Sequence, residues 1–372
     1  MSQSVLPDSY EGIYERARTL LRSGDIESAI VLYRRLTAKL NNLPDRILDR
    51  RPQLRDLHRQ VRLEFAKVLV ELGRYAEALE VESVLLKTHP DETDAWRRDL
   101  AVLRAASGDV EAGLAELRAL ADKASGDTEA WIVLGNEARI AGRLLDSQTA
   151  LERALEVCPQ DDATNLANVH YQRFLLFNEM KQIDDALAAW QEAVSCDPEM
   201  GSTVRRVYTM LTDAGRYKEA LLYIARDVNP LQAGLHMGLL ASLTGNSLAA
   251  QKEWRAVADL DPSKFEYGHD AWVEAVLRLG NPDPALEWLQ DSLAKHGTAR
   301  LIVLSGIGWA MRRDTELAKA LFQQAITLLR HRRPPKQKLD RADWQLLDSL
   351  VKDDEIKAPL KSYFAVVESL WG

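Results

Sequence analysis

The residues able to do covalent, acid–base or metal chemistry are spread along the chain rather than grouped. Two cysteines, Cys158 and Cys196, and seven histidines stand without metal-ligand spacing. Zinc-protease, phosphate-loop, dinucleotide-binding and serine-hydrolase motifs are all absent from the sequence. The glycine-rich run Ser305–Gly308 lies in an apolar helical stretch, where it predicts close helix packing rather than phosphate binding. The sequence therefore predicts no catalytic residue, no metal site and no cofactor.

Two basic stretches are the other places where side chains could bind a ligand. Residues 46–62 contain six arginines with aspartates interleaved, and residues 330–338 form a basic, proline-containing break. Solvated surface with intrahelical ion pairs is the ordinary interpretation of such stretches. The functional alternative is a docking patch for an acidic partner or for nucleic acid. Both interpretations stay open at the level of sequence.

Composition limits the classes of protein that fit. The 372 residues include 48 Lys and Arg against 56 Asp and Glu, which gives a net charge of −8. This acidic balance disfavours a general affinity for nucleic acid. Glycine and proline are scarce, at 19 and 13 residues, which points away from a turn-rich β fold and toward helices.

We expect no secretory signal at the start of this sequence. Met1–Asp8 has no basic stretch followed by an apolar core, and two cysteines suit a reducing compartment. The longest stretch free of Asp, Glu, Lys and Arg, Asn229–Gln251, contains too many polar residues for a membrane span. We therefore expect a cytoplasmic protein without a membrane span. An excess of 33 arginines over 15 lysines is typical of a GC-rich bacterial genome.

Nine turn signals divide the chain into units of similar length. Most of the spacings between them are 33 to 35 residues, and such a period is the signature of a helical repeat. A 49-residue spacing indicates an insertion at about residues 41–56, and a 39-residue spacing lengthens the junction at residues 160–168. The turns begin at Gly24, Gly73, Gly108, Gly142, Lys181, Gly215, Gly245, Gly280 and Arg313.

Two columns repeat behind these turns. The residue five positions after each turn start is small, and the residue four positions further on is large and apolar in every unit except the second, which has Glu82. Small and large residues at i and i+4 share one helix face, where the small one lets two helix backbones approach closely. The columns therefore predict units of two antiparallel helices. The small column is Ala29, Ala78, Gly113, Ser147, Ala186, Ala220, Ala250, Ala285 and Ala318.

The fourth unit carries a family resemblance. Trp131-x2-Leu134-Gly135, Ser147-x3-Leu151 and Pro159 resemble the tetratricopeptide repeat pattern, although Ala138 stands where the family favours Tyr. The resemblance covers residues 10–330, about nine units. It implies an all-α, right-handed α-solenoid (superhelix) of antiparallel helix pairs.

The extent of the repeat pattern predicts how the chain is divided. A flexible N-terminus at 1–9 is expected to precede the solenoid at 10–330, and 331–372 is expected to form a basic break followed by capping helices. The stripe Leu360, Phe364, Val367 and Trp371 would cover the exposed end of the array. A dimerisation surface is the alternative for this stripe.

In the family, the first helix of each unit lines a concave surface that receives extended peptides or helices. Asn and Gln amides can bind a peptide backbone, Arg suits carboxylates, and Tyr adds apolar area with a polar tip. The arginines favour an acidic segment. Carried over residue by residue, the expected binding groove is Arg98, Asn136, Arg139, Asn168, Tyr171, Gln172, Asn178, Arg205, Arg206 and His236.

The leading functional hypothesis is a non-enzymatic scaffold or adaptor that binds a protein segment in this groove. The alternatives are an RNA-binding helical repeat and a non-catalytic regulatory subunit of an enzyme complex. The ends of the array offer a surface for homo-oligomerisation. The sequence does not identify the partner.

Overall fold

The computed structural model describes residues 9–23, 25–89, 93–296, 298–330, 343–363 and 365–366. The chain divides into two compact units, Met1–Ala141 (unit 1) and Gly142–Gly372 (unit 2). Several sequence-based expectations lie outside the described residues: the terminus at 1–8, the turn start Gly24, the basic break at 331–338, and Phe364, Val367 and Trp371 of the terminal stripe.

Every regular element in the described part of the chain is helical. In unit 1, α1 packs on α2, α4 on α5, and α7 on α8, each pair joined by a short turn. The helices of unit 1 are α1 (Tyr10–Arg22), α2 (Ile26–Asn41), α3 (Asp45–Arg50), α4 (Pro52–Glu71), α5 (Tyr75–Ser83), α6 (Leu85–Thr88), α7 (Thr93–Ala106), α8 (Val110–Lys123) and α9 (Thr128–Ile140).

Unit 2 repeats the pairing with α11 on α12, α13 on α14, α15 on α16, and α19 on α20. Two 3-10 helices, Pro198–Thr203 and Pro262–Lys264, interrupt the α-helical order. The α-helices are α10 (Leu144–Val157), α11 (Ala163–Glu179), α12 (Ile183–Cys196), α13 (Val204–Asp213), α14 (Tyr217–Ile224), α15 (Pro230–Leu243), α16 (Ser247–Ala258), α17 (His269–Arg278), α18 (Asp283–His296), α19 (Ala299–Met311), α20 (Thr315–Arg330), α21 (Asp343–Leu350) and α22 (Asp354–Lys357).

The predicted turn starts are the points where the backbone becomes left-handed. All eight that are described have positive φ, from 63° at Lys181 to 115° at Gly108. Glycine adopts this conformation without steric cost, whereas Lys181 and Arg313 adopt it as larger residues. The turn signals therefore mark the helix-to-helix connections correctly.

The repeated columns form the contacts within the helix pairs. Each residue of the small column is buried. An added Cβ at Gly113 would lie 2.7 Å from Ala101 O, so the backbones of α7 and α8 touch there. The same close packing explains the glycines of α19, because a Cβ at Gly306 would collide with the ring of Phe322. Together with the helix pairs, these contacts confirm the prediction of an all-α helical-repeat fold.

The one irregular member of the large column is half-buried, whereas the other members are buried. Glu82 takes the place of an apolar residue, and burial together with the nearby charge of Asp99 raises the pKa of Glu82 to about 7. The insertion folds as the short helix α3 before α4, and the longer junction is followed by the 17-residue helix α11. Near the C-terminus, Leu360 joins the same hydrophobic cluster as Phe322. The domain bounds and the right-handed superhelical course stay predictions.

Candidate functional site

An open pocket of about 1240 Å³ lies within unit 2. Its walls come from the end of α12, the 3-10 helix Pro198–Thr203, the start of α13, the α14–α15 connection, the loop before α17 and the start of α19. Two of these segments follow Pro198 and Pro262, which end the helical course of the preceding helix. The pocket is therefore built mainly from connections between the repeated helices.

Asn229 fastens two walls of the pocket together. Its side-chain Oδ1 caps α15 by accepting from the backbone N–H groups of Leu231 and Gln232 at 3.0 and 3.1 Å. Its Nδ2 donates to Tyr267 O at 2.8 Å, across 38 residues of sequence. A Cβ at Gly268, whose φ is 91°, would lie 2.8 Å from Asn229 Oδ1, so this approach requires glycine. The loop before α17 is thus held in place by a buried amide.

The α14–α15 connection is fixed in a similar way. Asp227 Oδ1 accepts from the backbone N–H of Asn229 at 2.9 Å, and its Oδ2 accepts from the buried Tyr208 hydroxyl at 2.8 Å. On the other side of the pocket, His269 Nε2 lies 3.0 Å from Phe265 O, and its ring stacks on Trp288 at 5.2 Å. Both loops are therefore preorganised before any ligand binds.

Arg205 is the predicted groove residue that lines this pocket. Its Nη1 donates to Gln232 Oε1 at 3.0 Å and lies 3.8 Å from Asp270 Oδ2. One turn beyond Gln232, His236 Nδ1 lies 2.9 Å from Gln232 O, and its ring is 4.7 Å from Tyr208. Arg205 and His236 therefore both contact Gln232, the one at its side chain and the other at its backbone carbonyl. Arg206 is exposed and does not line the pocket.

A buried ion triad lies behind the pocket wall. Arg300, a pocket-lining residue, donates from Nη2 to Glu274 Oε2 at 2.6 Å, and Arg278 donates to Glu274 Oε1 at 2.6 and 2.8 Å. Burial alone would raise the pKa of Glu274, but the two guanidinium groups hold it well below its usual range. Glu274 is therefore ionised, and its charge is compensated from both sides.

The remaining predicted groove residues in unit 2 lie on α11. Asn168, Tyr171 and Gln172 are spaced to share one helix face, and each is half-buried. The Tyr171 ring is 5.9 Å from the ring of Phe174, and Gln172 Oε1 has no hydrogen-bond partner in the described part of the chain. Asn178 is half-buried near the end of α11. None of these four lines the pocket.

The predicted groove residues in unit 1 contact one another or nearby carboxylates. Arg98 on α7 lies 3.5 Å from Glu129 and 3.9 Å from Asp127. On α9, Arg139 Nη2 donates to Asn136 Oδ1 at 3.0 Å. These arginines are therefore already engaged by neighbouring oxygens.

Sequence reasoning missed the pocket residues that stand on connections. Arg226, Val228 and Tyr267 belong to loops, whereas the family pattern directs attention to the first helix of each unit. The available signal was the pair of prolines, Pro198 and Pro262, at the ends of second helices. Because proline cannot continue a helix, the residues that follow it form a connection, and such connections can line a pocket.

The thiols and carboxylates of the chain form no further reactive cluster in the described ranges. The residues that the structure describes contain no group of three His, Cys, Asp or Glu side chains placed to hold a metal ion. Cys158 is buried, Cys196 is half-buried, and both are free thiols. Within the described ranges, no helix has both the length and the apolar character that a bilayer crossing requires.

Comparisons with known proteins find solved structures of similar fold at low sequence identity. No family model and no curated protein matches the chain. A tetratricopeptide repeat protein from Parabacteroides merdae is 14% identical, with 72% of this chain and 97% of that one covered at a TM-score of 0.44. A human IFIT1 dimer with PPP-AAAA is 15% identical over 86% and 73% of the two chains, with a TM-score of 0.44.

A third solved structure is YrrB, described as a tetratricopeptide repeat protein with an unusual peptide-binding site. It is 15% identical, and 68% of this chain and 93% of that one are covered at a TM-score of 0.32. Because all three TM-scores are below 0.5, these likenesses carry no argument about function. The tetratricopeptide-like character of this fold stands on the chain's own turns and columns.

Proposed function

We propose that the chain is a non-enzymatic scaffold that binds a segment of a partner protein, and that the unit 2 pocket receives part of that segment. The observation that carries this proposal is a preorganised pocket whose rim exposes apolar surface. Val228 is 84% exposed and Tyr267 is 53% exposed, although both are large apolar residues. Exposed apolar side chains beside fixed polar groups are typical of protein-binding surfaces.

The chemistry of the pocket supports a peptide rather than a small metabolite. The pocket is wide and open, and its lining mixes charged, polar and apolar side chains. Trp190 and Leu301 add buried apolar surface to the lining of the pocket. An extended or helical segment can contact such a lining with several side chains at once.

The groove residues predicted outside the pocket are also proposed to bind a partner segment, each set within its own unit. The three residues of α11 offer two amides and a phenol along one helix face, which suits hydrogen bonding to a peptide backbone. In unit 1 the proposed set is Arg98, Asn136 and Arg139.

Affinity capture with matched variants tests the proposal. The whole chain would be immobilised as wild type, as V228S with Y267S, and as L248S, and bound proteins would be identified by mass. Leu248 is 83% exposed on α16 and does not line the pocket, so it controls for the loss of exposed apolar surface. Partners that bind wild type and the L248S control but not the rim variant would support the pocket. Partners retained by the rim variant would overturn it.

Nucleic acid remains the competing ligand class. Four carboxylates against three guanidinium groups in the pocket wall disfavour a polyanion there. A salt-titrated assay with a generic single-stranded RNA would decide, because phosphate contacts are strongest at low salt. Binding at about 50 mM salt that weakens steeply as salt rises would favour the RNA hypothesis.

A further inference from the structure

The charges around the pocket are not balanced. Its described wall contains three guanidinium groups, of Arg205, Arg226 and Arg300, and four carboxylates. The carboxylates belong to Glu199, Asp227, Glu266 and Asp270. A count of formal charges therefore gives the wall an excess of one negative charge.

The guanidinium groups of the pocket wall are also less available to a ligand than its carboxylates. Arg300 is bound to the buried Glu274, and Arg205 is held by Gln232 and lies 3.8 Å from Asp270. The guanidinium of Arg226 lies over the ring of Tyr223, 4.9 Å from its centroid. Two of the three positive charges are thus engaged with groups of this chain.

Two of the carboxylates stand exposed at the rim. Glu199 lies on the 3-10 helix after α12, and Glu266 lies on the loop before α17. In the described part of the chain, neither side chain forms an ion pair or a hydrogen bond. Because Glu266 directly precedes the exposed Tyr267, a cation placed there can meet both a carboxylate and an aromatic ring.

We propose that the pocket selects a partner segment in which a lysine or arginine lies close to a bulky apolar side chain. The apolar side chain packs against Val228 and Tyr267, and the cation pairs with Glu199 or Glu266. This inference rests on the proposed function. It also reverses the preference for acidic segments that the arginines alone suggest, since those arginines are largely compensated by their own neighbours.

Peptides of controlled charge test this selectivity. The labelled whole chain would be applied to an array of 11-residue peptides in a Gly/Ser background. Each peptide would have a central Leu or Phe and Lys, Gln or Glu at two to three residues' distance. The strongest binders would then be measured in solution by fluorescence anisotropy at low and high salt. We expect Lys peptides to bind about 10-fold more tightly than Glu peptides at low salt, with a smaller ratio at high salt.

Two charge-matched variants locate the effect. In E199Q with E266Q, the ratio between Lys and Glu peptides should fall below about threefold because both rim carboxylates are neutralised. In E287Q with D291N, the same change of net charge is made at exposed positions of α18 outside the pocket wall. That control should keep the wild-type ratio.

The outcomes separate the two proposals. Equal or stronger binding of Glu peptides, or a Lys preference that survives E199Q with E266Q, overturns the charge selectivity and leaves the scaffold proposal intact. Peptide binding that survives V228S with Y267S places the segment elsewhere and also overturns the inference. Absence of any binding above the Gly/Ser background overturns the inference, while the capture experiment judges the scaffold proposal independently.

Discussion

Both units bury an arginine, but they treat its charge differently. In unit 2, Arg300 is 8% exposed and shares the carboxylate of Glu274 with Arg278. In unit 1, Arg62 is 1% exposed, and its Nη2 donates to the neutral amide oxygen of Asn41. Its Nε and Nη1 have no hydrogen-bond partner in the described part of the chain. Burial accordingly lowers the pKa of Arg62 to about 10.

The surroundings of Arg62 increase this contrast. His58 lies one helical turn earlier on α4, and its ring is 6.3 Å from the ring of His89. Burial, together with the charges of Arg62 and His89, lowers the pKa of His58 to about 4. Unit 2 thus places a buried anion between two cations, whereas unit 1 buries one guanidinium beside an imidazole that is kept neutral. A buried charge with an oppositely charged partner is tolerated in the fold, whereas a buried charge without one destabilises it.

The largest expected effect is the loss of the compensated anion. Glu274→Leu leaves the buried Arg300 and its neighbour Arg278 without their carboxylate, and we expect unit 2 to lose about 3–5 kcal/mol of stability. Hydrogen exchange of α17 and α19 in the whole chain measures this locally. Glu287→Leu, at an exposed position of α18, is the control. A loss below about 1 kcal/mol would remove the distinction between the two regions.

Removing the uncompensated cation should act in the opposite direction. Arg62→Met replaces a buried charge with an apolar chain of similar length, and we expect α4 to gain about 1–3 kcal/mol. Protection of α4 amides from exchange reports the gain, with the exposed Arg46→Met as the control. A clear loss of protection in Arg62→Met would show that the guanidinium stabilises unit 1.

Acid should weaken unit 1 through His58. The folded chain keeps this imidazole neutral until the pH approaches 4, whereas an unfolded histidine takes up its proton near pH 6.5. Stability is therefore full above about pH 6.5 and falls as the pH drops toward 4, by about 1–2 kcal/mol. Exchange of α4 amides, corrected for the intrinsic effect of pH, follows this loss.

Protonation of Glu82 also changes the stability of unit 1 with pH, so its contribution must be separated from that of His58. Its pKa of about 7 lies above the ordinary carboxyl value, so protonation favours the folded chain as the pH falls. The comparison is therefore made in a Glu82→Gln background, with and without His58→Leu. If the acid sensitivity of α4 persists after His58→Leu, another group carries it.

The smallest effect concerns the turns. The described turn starts of unit 1, Gly73 and Gly108, are glycines, whereas unit 2 uses Lys181 and Arg313 at two of its turns. Glycine relieves the left-handed strain but adds freedom to the unfolded chain, so Lys181→Gly should stabilise by only about 0.5 kcal/mol. Exchange of the adjoining α11 and α12 amides measures the change. Destabilisation would mean that the lysine side chain makes a contribution larger than the strain.

The repeat architecture was predictable because its signals are local. A residue such as Ala250 must be small wherever two helices of one pair touch, and Gly142 must accept a left-handed backbone wherever one helix turns into the next. The binding surface was predicted less completely. Arg205 lines the observed pocket, but Val228, Tyr267 and Glu266 were not anticipated, because they stand on connections that the repeat pattern does not describe.

The sequence by itself determined the helix pairs, their turns and the small and large columns that join them, since each depends on residues within one period of about 34 positions. Tertiary structure alone decided which charges are compensated and where a pocket opens. Asn229 meets Tyr267 across 38 residues, and Arg300 meets Glu274 across 26. Such meetings depend on how successive helix pairs stack, and no periodic pattern in the chain encodes them.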